Sequence, residues 1–296
     1  MPELPEVETV VQGLRPHLVE RRITDVSLSG KQLRLPWPAH FAQRLAGRTI
    51  LDVQRRAKFI LMPLTGGETL ISHLGMSGRY TVFPPDMPSA EALGAFYFQP
   101  AAAREPGPHD HLILRLHDGT RVVYTDPRRF GLFDLVASET IHAHPMLAGL
   151  GPEPLDENTF TPAYLASVLA RRQAPVKTVL LDQSVVAGLG NIYACEALFL
   201  AGISPRRTAR SLAPSGRPGK PVNRLVDAIR KVLCAAIAAG GSTLRDHAQV
   251  NGEHGMYQQQ FFVYGRAGAP CRQCGAPIRQ IVQSGRSTFF CSRCQR

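Results

Sequence analysis

The chain reads as an α+β protein of more than one domain, and three observations predict this. Its first half strings short β-like runs between turn residues behind one leading helix. Beyond about residue 159 the apolar spacing becomes helical, and four of the six cysteines stand in two tight pairs near the carboxyl end. A length of 296 residues exceeds one ordinary domain, and a hydrophobic fraction of 44% belongs to a folded protein.

The leading helix is predicted from Glu6, with Val7, Val10, Val11 and Leu14 on one face and Pro16 limiting its run. Strand-like runs follow at Ile50–Val53, Lys58–Met62 and Thr69–Leu74. The clearest hairpin joins His111–His117 to Thr120–Tyr124 through Asp118-Gly119, a pair suited to a tight primed turn. Residues from about Phe83 to Pro108, rich in Pro, Ala and Gly, predict an extended loop. A linker is expected from about Val136 to Asn158. Farther on, Val222, Leu225, Val226, Ile229, Val232, Leu233, Ala236 and Ile237 form an amphipathic stripe stopped by Gly240-Gly241. From Gln260 the pattern is β-like again, and no internal repeat is present.

A net charge of +11 favours a polyanionic partner, nucleic acid first. No run of about 18 apolar residues argues for a membrane span, and the amino end lacks a secretory pattern. A soluble intracellular protein is therefore expected. Cys195 and Cys234 lie in apolar helix-like sequence and read as buried thiols rather than a disulfide framework.

Several constellations carry chemistry. Once Met1 is removed, Pro2 becomes a secondary amine, and an N-terminal amine titrates near 7.7–8.0. Such an amine attacks an aldehyde-like carbon to give an iminium electron sink. Glu3 and Glu6 offer proton-transfer groups beside it; the plainer reading is an arm stiffened by Pro2 and Pro5. Cys271, Cys274, Cys291 and Cys294 form two Cys-x-x-Cys knuckles, a four-thiolate set for one structural zinc with no open coordination position. Arg279, Arg286 and Arg293 lie on this ribbon and suit phosphates. Gly188-Leu189-Gly190-Asn191 precedes a helix, which is either an anion site or an ordinary helix entry. In Asp126-Pro127-Arg128-Arg129-Phe130-Gly131, Arg128 and Phe130 are placed to enter a duplex and fill the gap of an extruded base, with Met76 a second wedge. For Met76 or Phe130 taken singly, a core side chain is the simpler reading. Lys58, at a strand start, is either a surface phosphate contact or a catalytic ammonium.

Together PELPEVET, RRAKFIL, HLGMSG, YTDPRRFG, LLDQSVVAGLGNIYACEALF, GGSTLRD and the VYGRAGAPCRQCG…FFCSRCQ ribbon span essentially the whole chain, in order. The sequence resembles the bacterial formamidopyrimidine-DNA glycosylases, which excise 8-oxoguanine and ring-opened purines and then nick the DNA. The resemblance implies an N-terminal β-sandwich with a leading helix over residues 1–140 and a linker over 141–158. It further implies a helix-two-turns-helix domain over 159–257 and a zinc ribbon over 258–296. Pro2 would be the nucleophile at C1′, Glu3 the acid/base at the sugar, Lys58 the proton donor in β-elimination and Arg286 the group of δ-elimination. His109, Arg128, Arg172 and Asn191 would contact DNA, and Met76, Arg128 and Phe130 would fill the stack. The expected partner is duplex DNA carrying oxidised purines or abasic sites, met by a monomer in the bacterial cytoplasm with one structural zinc. Leu4 departs from the Pro-Glu-Gly-Pro-Glu start of the related endonuclease VIII type, and Arg245 stands where lysine is common. A zinc-ribbon DNA-binding protein without catalysis is the rival from another class, opposed by the presence of Pro2, Glu3, Lys58 and Arg286.

Overall fold

The computed structural model describes residues 2–85, 91–93, 107–242 and 257–296. The chain divides into two compact units, Met1–Ala148 with Ala239–Met256, and Gly149–Ala238 with Tyr257–Arg296. The ribbon thus shares a unit with the helices.

In the first unit α1 (Leu4–Leu18) leads into β1 (Ile23–Leu28), α2 (Phe41–Leu45), β2 (Gln54–Arg56), β3 (Phe59–Leu64) and β4 (Glu68–His73). There follow β5 (Arg79–Phe83), β6 (Glu91–Leu93), β7 (Asp110–Leu116), β8 (Arg121–Thr125) and β9 (Leu132–Ala137). One antiparallel sheet has the order β1-β7-β8-β5-β6 and the other β2-β3-β4-β9. The period-two pattern of β3 turns Ile60, Met62 and Leu64 inward, where they join Leu112, Leu114, Val122 and Tyr124 of the other sheet in one core. The unit is a β-sandwich behind a leading helix, as expected.

Helix α1 is held by packing more than by propensity. Val7, Thr9, Val10 and Val11 are β-branched and Pro16 lies inside it. Against that, Leu4, Val7, Val10, Val11, Leu14 and Leu18 are buried, a gross gain on the order of 10 kcal/mol before entropy. Pro16 limits the helix as expected: it sits in the last turn, the helix ends at Leu18, and the Val19 N–H closes on the Arg15 carbonyl at 3.1 Å.

Three expectations change. The Ile50–Val53 run contributes one bridge, Ile50 to Leu64, and the strand begins at Gln54. The β7–β8 turn is not the two-residue primed type. The Leu116 carbonyl accepts the Gly119 N–H at 3.0 Å, and Gly119 (φ +89°) absorbs the left-handed position of a three-residue loop. Cys195 is buried, but Cys234 is exposed, on the polar face of its helix. Within the Phe83–Pro108 stretch the described part includes β6, which pairs with β5; residues 86–90 and 94–106 lie outside the described residues.

The second unit contains α3 (Pro162–Leu169), α4 (Val176–Leu180), α5 (Asn191–Leu200) and α6 (Lys220–Ala238), then the hairpin β10 (Arg279–Gln283) and β11 (Arg286–Phe290). Helix α6 buries Val222, Leu225, Val226, Ile229, Val232, Leu233 and Ala236, the predicted stripe apart from the half-buried Ile237. Helix α5 rests on the ribbon through Cys195, Phe199, Val263, Ile278 and Phe289. Burial pushes the Glu196 carboxyl up, although it accepts the N–H groups of Phe262, Val263 and Tyr264 at 2.8–2.9 Å.

Candidate active site and zinc centre

Pro2 is buried and directly precedes Glu3, the N-cap of α1. The Glu3 N–H donates to Glu6 Oε2 at 2.9 Å and the Glu3 side chain accepts the Glu6 N–H, a reciprocal capping box. Glu6 Oε1 also accepts from the Ser242 N–H at 2.8 Å and the Ser242 hydroxyl at 3.0 Å. Glu6 is therefore the acceptor that anchors the N-terminal arm. Glu3, 4% exposed, remains the carboxyl adjacent to Pro2. Met1 lies outside the described residues.

Lys58 is buried at the β2–β3 turn, where Ala57 adopts the left-handed region at φ +52°. Arg55 braces this turn. Its Nε meets Glu8 Oε2 of α1 at 2.8 Å and its Nη1 donates to the Ala57 carbonyl at 3.2 Å. Opposite Phe59 in the sheet stands His73, rings 4.9 Å apart. Burial first, then the charges of Lys58 and Arg34, hold His73 down at about 4. Its Nδ1 accepts the Gly75 N–H at 2.9 Å, so the neutral ring carries its proton on Nε2.

The wedge candidates are gathered by Asp126, fully buried. Its Oδ1 accepts from the Ser77 hydroxyl and from the Arg128 N–H at 3.2 Å; its Oδ2 accepts the Gly131 N–H at 2.7 Å. One carboxylate thus fixes both the loop of Met76 and the loop of Arg128 and Phe130. A side chain on Gly75 (φ +63°) would collide with the Phe130 backbone, which is why the two loops can touch main chain to main chain. Arg128 lies over the Phe130 ring at 4.8 Å, and Phe130, 45% exposed, is no core side chain. Met76 is half-buried, and the exposed His109 is tied to the same loop by its carbonyl, which accepts the Asp126 N–H at 2.9 Å.

In the second unit Asn191 opens α5 behind the Gly188–Gly190 turn, and its Nδ2 donates to the Ser287 carbonyl at 2.9 Å. Arg286, exposed at the start of β11, is the preceding residue. Arg172 is exposed, 3.7 Å from Asp182. The four cysteines are free thiols with sulfurs all within 4.8 Å of one another; Cys271–Cys294 and Cys274–Cys291 lie 3.9 and 3.5 Å apart. Zinc–sulfur bonds of about 2.3 Å in a tetrahedron require sulfurs roughly 3.8 Å apart, so the donor set fits the metal.

Three family models match the chain in order. The Formamidopyrimidine-DNA glycosylase N-terminal domain matches residues 1–133, its H2TH domain residues 150–248, and the zinc finger found in FPG and IleRS residues 268–296. The chain belongs to the formamidopyrimidine-DNA glycosylase family. Family members named Formamidopyrimidine-DNA glycosylase are 50% identical in Cereibacter sphaeroides and 51% in Azorhizobium caulinodans, covering the whole of both chains. Among solved structures, the MutM (Fpg) protein of Thermus thermophilus is 40% identical with a TM-score of 0.80, covering 99% of this chain and 98% of that one. The Lactococcus lactis Fpg in complex with abasic-site DNA is 32% identical with a TM-score of 0.82, covering 99% of each. The family zinc finger and the clustered thiols make the cysteine site a structural zinc centre.

For a member of this family, sequence reasoning passed over two residues. Asp126 and His73 were visible only as letters inside motifs, and nothing local marks either. The capping role of Glu6 had a signal: an acidic residue three positions after the N-cap.

Proposed function

We propose that this chain is a base-excision-repair glycosylase and abasic-site lyase acting on oxidised purines such as 8-oxoguanine and formamidopyrimidines in duplex DNA. The observation that carries the reading is Pro2, buried at the head of α1 with Glu3 beside it. In the proposed reaction the Pro2 nitrogen bonds to C1′ of the damaged nucleotide as the bond from C1′ to the base breaks, and the base leaves with the proton that the Pro2 nitrogen gives up. Glu3 protonates the sugar ring oxygen, which opens the ring and leaves an iminium. The Glu3 carboxylate, ionised by that transfer, takes the C2′ proton; the C2′–H electron pair moves towards the iminium and the C3′–O bond breaks, so the 3′ phosphate leaves by β-elimination with Lys58 as the proton donor. Arg286 serves the second elimination, which expels the 5′ phosphate.

Flipping the nucleotide costs a few kcal/mol of unstacking. Met76, Arg128 and Phe130 offset this by filling the stack, while His109, Arg172 and Asn191 hold phosphates. A zinc ion held by Cys271, Cys274, Cys291 and Cys294 would close the ribbon's fold, its four protein ligands leaving no position for substrate. Functionally, residues 1–140 form the catalytic sandwich, 141–158 a linker, 159–257 the helical DNA-binding part and 258–296 the ribbon, in a monomer of the bacterial cytoplasm. Among the described residues no helix is long and apolar enough to cross a membrane.

Borohydride trapping on duplexes carrying 8-oxoguanine, an oxidised thymine or an abasic site tests the reading. Protein lacking Met1 should form a covalent adduct on the first and third, and Pro2→Gly should lose most of it while keeping DNA affinity. No adduct on any duplex would overturn the assignment.

A further inference from the structure

Lys177 has no part in the scheme above, yet it is among the most deeply buried side chains of the molecule, 1% exposed on the short helix α4. A buried ammonium is costly unless its protons are taken up. Lys177 Nζ donates to Thr288 Oγ1 at 2.6 Å and to the Ser287 carbonyl at 3.3 Å, and Thr288 is fully buried. The same Ser287 carbonyl accepts from Asn191 Nδ2 at 2.9 Å.

These contacts fall on the two residues after Arg286. The residues before it are held as well. Ser284 Oγ lies 3.2 Å from Thr178 Oγ1, and Gln283 Nε2 donates to the Pro205 carbonyl at 3.1 Å. Between them Ser284 (φ +49°) and Gly285 (φ +72°) make a tight primed turn that closes the Gln283–Arg286 pair. An exposed arginine at a hairpin tip ordinarily samples many positions. Here its backbone is clamped on both sides by the helical scaffold, and the buried contact among the clamps is charged.

We propose that Lys177 is a positioning residue for Arg286: its ammonium fixes the start of β11 through Ser287 and Thr288 and so sets where the Arg286 guanidinium is presented. The inference rests on the assignment of Arg286 to the second elimination. Removing a charge-assisted hydrogen bond at this point costs about tenfold in the step that Arg286 serves. The step at Pro2 does not depend on it.

The test follows an abasic-site duplex with the full-length zinc-loaded protein, separating the β-elimination product from the β,δ-elimination product, with borohydride trapping as the measure of the Pro2 step. Lys177→Met should lower the rate of the second elimination about tenfold while trapping and zinc content stay at wild-type level. Thr288→Val, which removes only the acceptor, should reproduce the loss, and Thr288→Ser, which keeps the hydroxyl but loses a methyl, should restore the product ratio. A merely structural role would make the two Thr288 variants alike, or make trapping fall in parallel. Arg286→Ala sets the scale. If it changes the product ratio and neither Lys177→Met nor Thr288→Val does, positioning by Lys177 is wrong; if Arg286→Ala itself leaves the ratio unchanged, the assigned role of Arg286 fails first and the inference falls with it.

Discussion

At the scale of single residues, hydrogen-bond partners distinguish buried polar groups of similar exposure. Glu3, the N-cap of α1, and Glu6, in its first turn, are both buried carboxyls, but Glu6 accepts from the N–H groups of Glu3 and Ser242 and from the Ser242 hydroxyl. Asp126 plays the same anchoring part for the loop of Met76 and the loop of Arg128 and Phe130. His73 shows what such burial means for stability. It stays neutral in the fold down to about pH 4, whereas an unperturbed histidine titrates near 6.5. Between these values the unfolded chain binds a proton that the folded chain does not, so folding stability falls as pH drops from 6.5 towards 4. At about 1.4 kcal/mol per pH unit the full loss is roughly 3 kcal/mol, complete below pH 4. Urea unfolding at pH 7, 6, 5 and 4 should show a shallower decline for His73→Gln than for wild type. Parallel curves would mean that His73 is not the group responsible.

At the scale of elements, each functional segment is a short piece held by something outside itself. The β2–β3 turn that presents Lys58 is braced by Arg55 against α1, and α5 reaches the ribbon through Glu196. The ribbon itself is two strands of five residues with a small core beside the thiols, too little to fold alone. Its order depends on the metal. Cys291→Ser should release zinc and, by loosening β10 and β11, weaken DNA binding; metal analysis and a duplex titration read both outcomes. Full DNA affinity in a zinc-free Cys291→Ser protein would contradict the structural role.

At the scale of the whole molecule, the positive charge of +11 is the property a polyanion meets first. Each cation that neutralises a phosphate contributes roughly 0.9 to the slope of log affinity against log salt. Arg172→Gln should therefore reduce that slope by about 1 and weaken matched and lesion duplexes alike. An unchanged slope would remove Arg172 from the contacts. What was legible from the residues alone had a strong local or periodic signal: the α1 face, the β-rich first half, the α6 stripe, the four-thiolate site and the motif set that marks the family. Tertiary structure alone decided the exposure of Cys234, the turn after β7, the partners of Glu6 and the contacts of Asp126, His73 and Lys177. The physical reason is common to these cases. A side chain's protonation, reach and partners depend on groups distant in sequence, Ser242 for Glu6 and Thr288 for Lys177, and no local pattern encodes which of them folding will bring near.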